Sequence, residues 1–153
     1  PALRQQRDRD ALRLGRLGGT IEALVSDHTP VGPDAKALPF AEAEAGATGL
    51  ELLLGLACKW GVERGAGMHR ALTVLTSEPA RVLGFALGTL QASAGRLVKG
   101  GVADVCVFDP ESEWTVEPTA LRSQGRHTPF SGHALPCAVH YTLVGGQLAF
   151  ARG

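Results

Sequence analysis

"TIEALVSDHTP", Thr20–Pro30, decides how the rest of the chain is read. Ile21, Ala23, Leu24 and Val25 stand between a glycine pair and a polar turn, which predicts a short buried strand over residues 20–26. The strand ends in Ser26-Asp27-His28 and runs into a long loop and then a helix. That order fits one βα unit of a parallel α/β fold, whose reactive face lies at the C-terminal ends of its strands. A carboxylate at that end, Asp27, can hold a metal or move a proton. It can equally close an Asx-type turn at the strand end.

Upstream, residues 4–17 predict a surface helix with Ala11, Leu12 and Leu17 as its apolar positions, closed by Gly18-Gly19. Downstream, the loop 27–45 carries Pro30, Pro33 and Pro39 and is long enough to suggest a functional role. Thr48 and Glu51 have the spacing of a capping box for a largely buried helix over 49–60. A helix over 68–76 follows. A short one comes next, with Ser77 as N-cap, Pro79 in its first turn and Gly84 as its stop. From about residue 95 the pattern changes to β-branched residues, glycine pairs and proline turns. Strands are predicted over 103–109, 113–117, 137–144 and 147–151, the last two joined at Gly145-Gly146 as a hairpin. The division is thus 1–94, helices around one parallel strand, and 95–153, a small β appendage. Trp60 and Trp114 read as packing residues.

The 153 residues are 44% hydrophobic and 20% charged with no net charge, the composition of a soluble globular protein. Neither nucleic acid nor a membrane is expected as partner. The three cysteines, Cys58, Cys106 and Cys137, lie in apolar surroundings and lack zinc-ribbon spacing. They read as buried reduced thiols of a cytoplasmic protein. The chain opens at Pro1 and reads as part of a longer protein.

"SDHTP", "FAEAEAGATGLELLL", "LTSEPARVLG", "GGVADVCVFDP", "HTPFSGHAL" and "YTLVGGQLAF" follow one another as at the C-terminal end of dihydroorotases, cyclic amidohydrolases of the amidohydrolase superfamily. The resemblance runs from Pro1 to Phe150. It is strongest to the non-catalytic dihydroorotase-like proteins that accompany aspartate transcarbamoylase. It implies an α/β fold: the C-terminal end of a metal-dependent (β/α)8 barrel, followed by strands of a small flanking β-sandwich. It also implies that Asp27 is the carboxylate that meets the metal and shuttles the proton as the dihydroorotate ring opens or closes.

This chain departs from the family pattern in three places. Active members commonly read Asp-His-Ala-Pro-His, and the second His helps to bind the substrate carboxylate. Here the line is Asp27-His28-Thr29-Pro30-Val31, and valine offers neither donor nor charge. The substrate-side motif Ala-Pro-x-Gly becomes Ala43-Glu44-Ala45-Gly46, with a carboxylate that repels an anion unless it points outward. Third, the His-x-His, carboxylated Lys and two further His that hold zinc in active relatives have no counterparts. Asp27 is the single metal ligand implied, and a catalytic zinc usually needs three. His69, His127, His133 and His140 show no ligand spacing and read as ordinary polar or packed residues. Arg126, His127 and Thr128 read as part of the sandwich closure.

The resulting expectation is a non-catalytic dihydroorotase-like protein of pyrimidine synthesis that assembles with aspartate transcarbamoylase catalytic chains. The candidate site is Asp27, with His28, Val31, Ala43 and Gly46 on the substrate side. The alternative is a zinc-dependent dihydroorotase of which this chain is a C-terminal piece. A third, blander reading is a fragment with no function of its own. The 153-residue chain alone is expected to be inactive, to bind no zinc, and to be oligomeric or prone to aggregate because barrel edges stay unpaired.

Overall fold

A computed structural model describes residues 5–153. Helix α1, Gln6–Leu17, closes where the glycine pair predicts, with Gly19 at φ +79°. Its expected start at Arg4 lies outside the described residues. A single turn, α2, spans Pro33–Lys36. A 3₁₀ turn, Leu50–Leu52, leads into α3, Leu53–Glu63, followed by α4, Gly67–Thr73, and α5, Ser77–Leu83. Gly84, at φ +48°, stops α5, and two 3₁₀ turns within Gly84–Ala92, broken at Gly88 (φ +55°), follow. Ser77 is the first residue of α5 and not its cap: Thr76 holds that position, and no side chain caps the turn.

The C-terminal part is one antiparallel sheet in the order β1-β2-β3, with β1 Val105–Thr115, β2 Ala134–Val144 and β3 Gln147–Ala151. Gly145 and Gly146, both at positive φ, make the predicted hairpin turn. The two strands expected over 103–109 and 113–117 are a single strand, β1, interrupted by a bulge. Pairing runs Asp109↔Ala138 and resumes at Glu113↔Pro136, so three residues of β1 face Cys137 alone. Pro110 has no N–H to give the ladder, and the Glu111 amide donates to Asp109 Oδ1 at 2.9 Å. The bulge therefore satisfies itself locally. Cys137 takes up the mismatch at φ +67°.

The core lies where α3 meets β2. Leu52, Val116, Leu121 and Leu135 form its centre, with Leu56, Trp114 and Phe130 packed against it. Two glycines set how closely the elements approach. A Cβ at Gly55 would sit 3.0 Å from Leu135 Cβ and from Pro136 O, and one at Gly61 would sit 2.8 Å from Gly67 O and 2.9 Å from Ala71 Cβ. Gly55 thus lets α3 lie on β2, and Gly61 lets it lie on α4. Lys59 reinforces the first contact by donating to Ala134 O at 3.0 Å.

Helix α1 contributes no buried residue and is tied down through its last turn. The Arg16 guanidinium lies 3.9 Å over the Trp60 ring. Arg16 O accepts from Arg70 Nη2 at 2.8 Å, and Arg70 also pairs with Glu78. Burial, and next the positive Arg70, push the Arg16 pKa below its ordinary value.

Two further expectations fail. Residues 20–26 form no strand. Their backbone bonds run from Ile21 N–H to Gly15 O and from Leu24 N–H to Val74 O, not to a neighbouring strand. A strand is made by its ladder, and among the described residues no strand runs beside this segment. Val25 is left exposed and Ile21 and Leu24 half-buried. The second failure is the uniform burial of the cysteines: Cys58 and Cys137 are buried, but Cys106 is exposed on β1.

The accessible surface is 10143 Å², whereas a compact 16.0 kDa monomer exposes about 7,400 Å² by the usual size scaling. The excess carries bulky apolar groups, with Phe40, Phe85 and Leu97 almost fully exposed.

Candidate functional site

Three backbone segments meet around residues 27–31. The first is the loop itself. Asp27 has φ +46°, a left-handed conformation that aspartate tolerates better than most residues but still at some cost. It presents an exposed carboxylate, while its carbonyl accepts from Thr29 Oγ1 at 3.3 Å.

The second segment is 46–51. The Thr29 amide donates to Ala47 O at 3.1 Å. Gly46, at φ +136°, has no room for a side chain: a Cβ would lie 2.5 Å from Thr29 O and 2.8 Å from Val31 Cγ2. The capping box expected from Thr48 and Glu51 does not form. The imidazole of His28 takes its place, with Nδ1 accepting from the Gly49 and Leu50 amides at 3.2 Å each. Those amides open the turn that leads into α3, and their donors are the ones a helix start leaves unpaired. With its Nδ1 lone pair engaged, neutral His28 carries its proton on Nε2.

The third segment is 121–128. The 1% exposed Thr48 donates its hydroxyl to Gly125 O and its amide to His127 O, the latter at 2.7 Å. The Glu51 carboxylate accepts from the Arg122 amide at 2.9 and 3.1 Å and from the Ser123 amide at 3.1 Å. The His127 amide donates to Val31 O at 3.4 Å. A Cβ at Gly125 would fall 2.5 Å from Val31 N and 2.6 Å from the Pro30 carbonyl carbon.

Asp27, His28, Val31 and Gly46 are therefore brought together, but in different roles. Asp27 faces solvent, His28 caps a helix, and Val31 is 4% exposed beneath Gly46 and Gly125. Ala43 stays within its own turn, its amide donating to Pro39 O at 2.9 Å. Glu44 is exposed, and its carbonyl accepts from Lys36. Gly125 and the segment 126–128, the latter read from sequence as sandwich closure, press on the candidate loop through their backbone. The available signal was Gly125, an isolated glycine in a polar loop. The role of Glu51 was hidden by the more familiar capping pattern.

A zinc of the kind the resemblance implies does not fit the donors present. Among the described residues, no three His, Cys, Asp or Glu side chains converge on one point. Of the two candidate donors in the loop, His28 already spends its free nitrogen lone pair on the backbone. Asp27 is left as a single ligand.

No family model matches the chain. In sequence it is 36% identical to a dihydroorotase of Geobacter sp. (strain M21), over 100% of this chain and 34% of that one. It is 40% identical to a dihydroorotase-like protein of Pseudomonas putida, over 97% of this chain and 33% of that one. In structure it resembles L-hydantoinase (dihydropyrimidinase) from Arthrobacter aurescens with TM-score 0.84 and 27% identity, over 100% of this chain and 34% of that one. Dihydropyrimidinase from Brevibacillus agri gives TM-score 0.86 at 22% identity, over 99% of this chain and 33% of that one. The chain spans about a third of the length of the relatives it matches. In sequence it is similar to about a third of the length of dihydroorotases and dihydroorotase-like proteins, and its α/β fold is that of the matching third of the hydantoinases.

Proposed function

We propose that the chain is part of a dihydroorotase-like protein of pyrimidine synthesis whose role is non-catalytic. Its partners would be aspartate transcarbamoylase catalytic chains. The observation that carries this reading is Val31. Where active members place the histidine that binds the substrate carboxylate, this chain has a valine, and that valine is packed out of reach under Gly46 and Gly125. An anionic substrate loses a charged donor there, and nothing in the Val31 side chain can replace it. The 40% identity to a protein named dihydroorotase-like supports the same reading.

The exposed, strained Asp27 favours a second reading, a zinc-dependent dihydroorotase with altered anion binding whose remaining ligands come from outside this chain. One experiment separates the two. The full-length protein is loaded with zinc, assayed for dihydroorotate hydrolysis, and run with aspartate transcarbamoylase catalytic chains on a sizing column. Co-migration without turnover is expected. Zinc-dependent turnover would overturn the non-catalytic role, and separate migration would remove the proposed partner.

A further inference from the structure

The 121–128 loop is rooted in the core and closed at its tip. At the root, Leu121 packs in the same cluster as Leu52, the neighbour of Glu51. Toward the tip, the Glu51 carboxylate holds the Arg122 and Ser123 amides, Thr48 holds Gly125 O, and Arg126 Nη1 donates to Thr119 O at 3.1 Å. The loop then meets Pro30 and Val31 with no slack. The His127 amide donates to Val31 O, and Gly125 approaches closely enough that a single methyl would collide with the Val31 nitrogen. Displacement of the loop is therefore transmitted to the backbone that follows Asp27.

We propose that Glu51 is a positioning residue of the candidate site, setting the Asp27–Val31 backbone through the 121–128 loop. This rests on the second reading above, in which Asp27–Val31 is the substrate-facing loop; the contacts themselves are tested by exchange whichever reading holds. A carboxylate accepting two successive backbone amides makes charge-assisted bonds, about twice as strong as neutral ones. Both ends of the contact stand on the Leu52–Leu121 core, so the distance between them is fixed. The side chain that a sequence reading gives to helix capping belongs instead to the geometry of the site.

The test is residue-resolved amide hydrogen exchange on the full-length protein, comparing wild type with Glu51→Ala, Glu51→Gln and Gly125→Ala. In Glu51→Ala the Arg122, Ser123, His127 and Thr29 amides should exchange about ten-fold faster or more, the factor that loss of a bond to a charged group carries. The α3 amides of Cys58 and Trp60 should keep their rates. Glu51→Gln keeps one acceptor oxygen and should recover most of the protection. Gly125→Ala should speed Thr29 and His127 while Arg122 and Ser123 stay protected. If Glu51→Ala frees Arg122 and Ser123 but leaves Thr29 and His127 unchanged, Glu51 holds only its own loop and the proposal is overturned. If Glu51→Ala loosens α3 as well, Gly125→Ala decides: wild-type rates at Thr29 and His127 in that variant also overturn it. Should wild type hydrolyse dihydroorotate, Glu51→Ala is expected to raise KM several-fold with a smaller change in kcat, and unchanged kinetics would count against the proposal. Absence of turnover bears on the enzymatic reading alone and leaves the exchange comparison decisive.

Discussion

Replacing Val31 with histidine is the obvious way to restore the family's substrate histidine, and the structure predicts that it fails. Val31 is 4% exposed, so its burial contributes about 1.5–3 kcal/mol. The larger imidazole must enter a site where even a Cβ added at Gly46 would fall 2.8 Å from Val31 Cγ2 and one at Gly125 2.5 Å from the Val31 nitrogen. Overpacking of this kind costs about 1–3 kcal/mol. An imidazole N–H left without an acceptor adds about 1–3 kcal/mol. These contributions overlap, because a loop that yields to relieve one relieves part of the others. A net loss of about 2–5 kcal/mol is expected. Urea unfolding of the full-length protein and its variant measures the loss, and calorimetric titration with dihydroorotate measures binding. The expected result is lower stability with no gain in binding. Stability within about 0.5 kcal/mol of wild type, or tighter dihydroorotate binding, would refute the packing argument, because the side chain would then have found its way to the substrate side.

Further expectations concern the cap, an ion pair and the thiols. His28→Ala should cost about 1 kcal/mol by removing the acceptor at the start of α3, and His28→Asn, whose side-chain oxygen can accept the same amides, should lose less in urea unfolding. Arg70→Met removes the half-buried partner of Glu78 and the donor to Arg16 O, with an expected loss of about 1–3 kcal/mol. The same variant should raise proteolysis within α1, and a cleavage rate equal to wild type would contradict that role. Burial, and then the neighbouring Cys137 thiol, push Cys58 up to about 12, so native protein at pH 8 should be alkylated at Cys106 well before Cys58. Unfolded cysteine ionises near 8.5. The unfolded state therefore loses the Cys58 proton first, and this contribution to stability is whole below that pH. It declines by about 1.4 kcal/mol per pH unit as pH rises toward the folded value. A flat alkaline limb in a stability–pH profile would argue against a buried Cys58.

Local patterns carried much of the fold into the sequence. The glycine pair after Leu17 and the Gly145-Gly146 turn each depend on residues close along the chain, and each stands where the spacing puts it; α3 forms from its own helical pattern but runs Leu53–Glu63, after a 3₁₀ turn. Residues 20–26 failed for a non-local reason: a run of Ile, Ala, Leu and Val specifies an extended backbone, but the ladder belongs to the neighbours. Pro110 made β1 look like two strands because a missing donor reads as a break, whereas Asp109 absorbs it as a bulge. At the candidate site, Asp27 and Val31 were singled out by chemistry and by the family pattern. The roles of Glu51 and Gly125 were not, because each acts on a segment some seventy or more residues away in sequence. Thr48 and Glu51 matched a local motif that tertiary contacts then overrode.

The position of the His28 lone pair bears on how mutational scans of such loops are scored. A histidine next to the reactive aspartate invites assignment as acid or base, and its removal would lower any activity measured. Here that loss would arrive through the first turn of α3, which loses the acceptor for two amides. A histidine committed in this way offers the site a donor at Nε2 and no base, so an alanine scan alone would credit proton transfer to what is a fastening of the backbone.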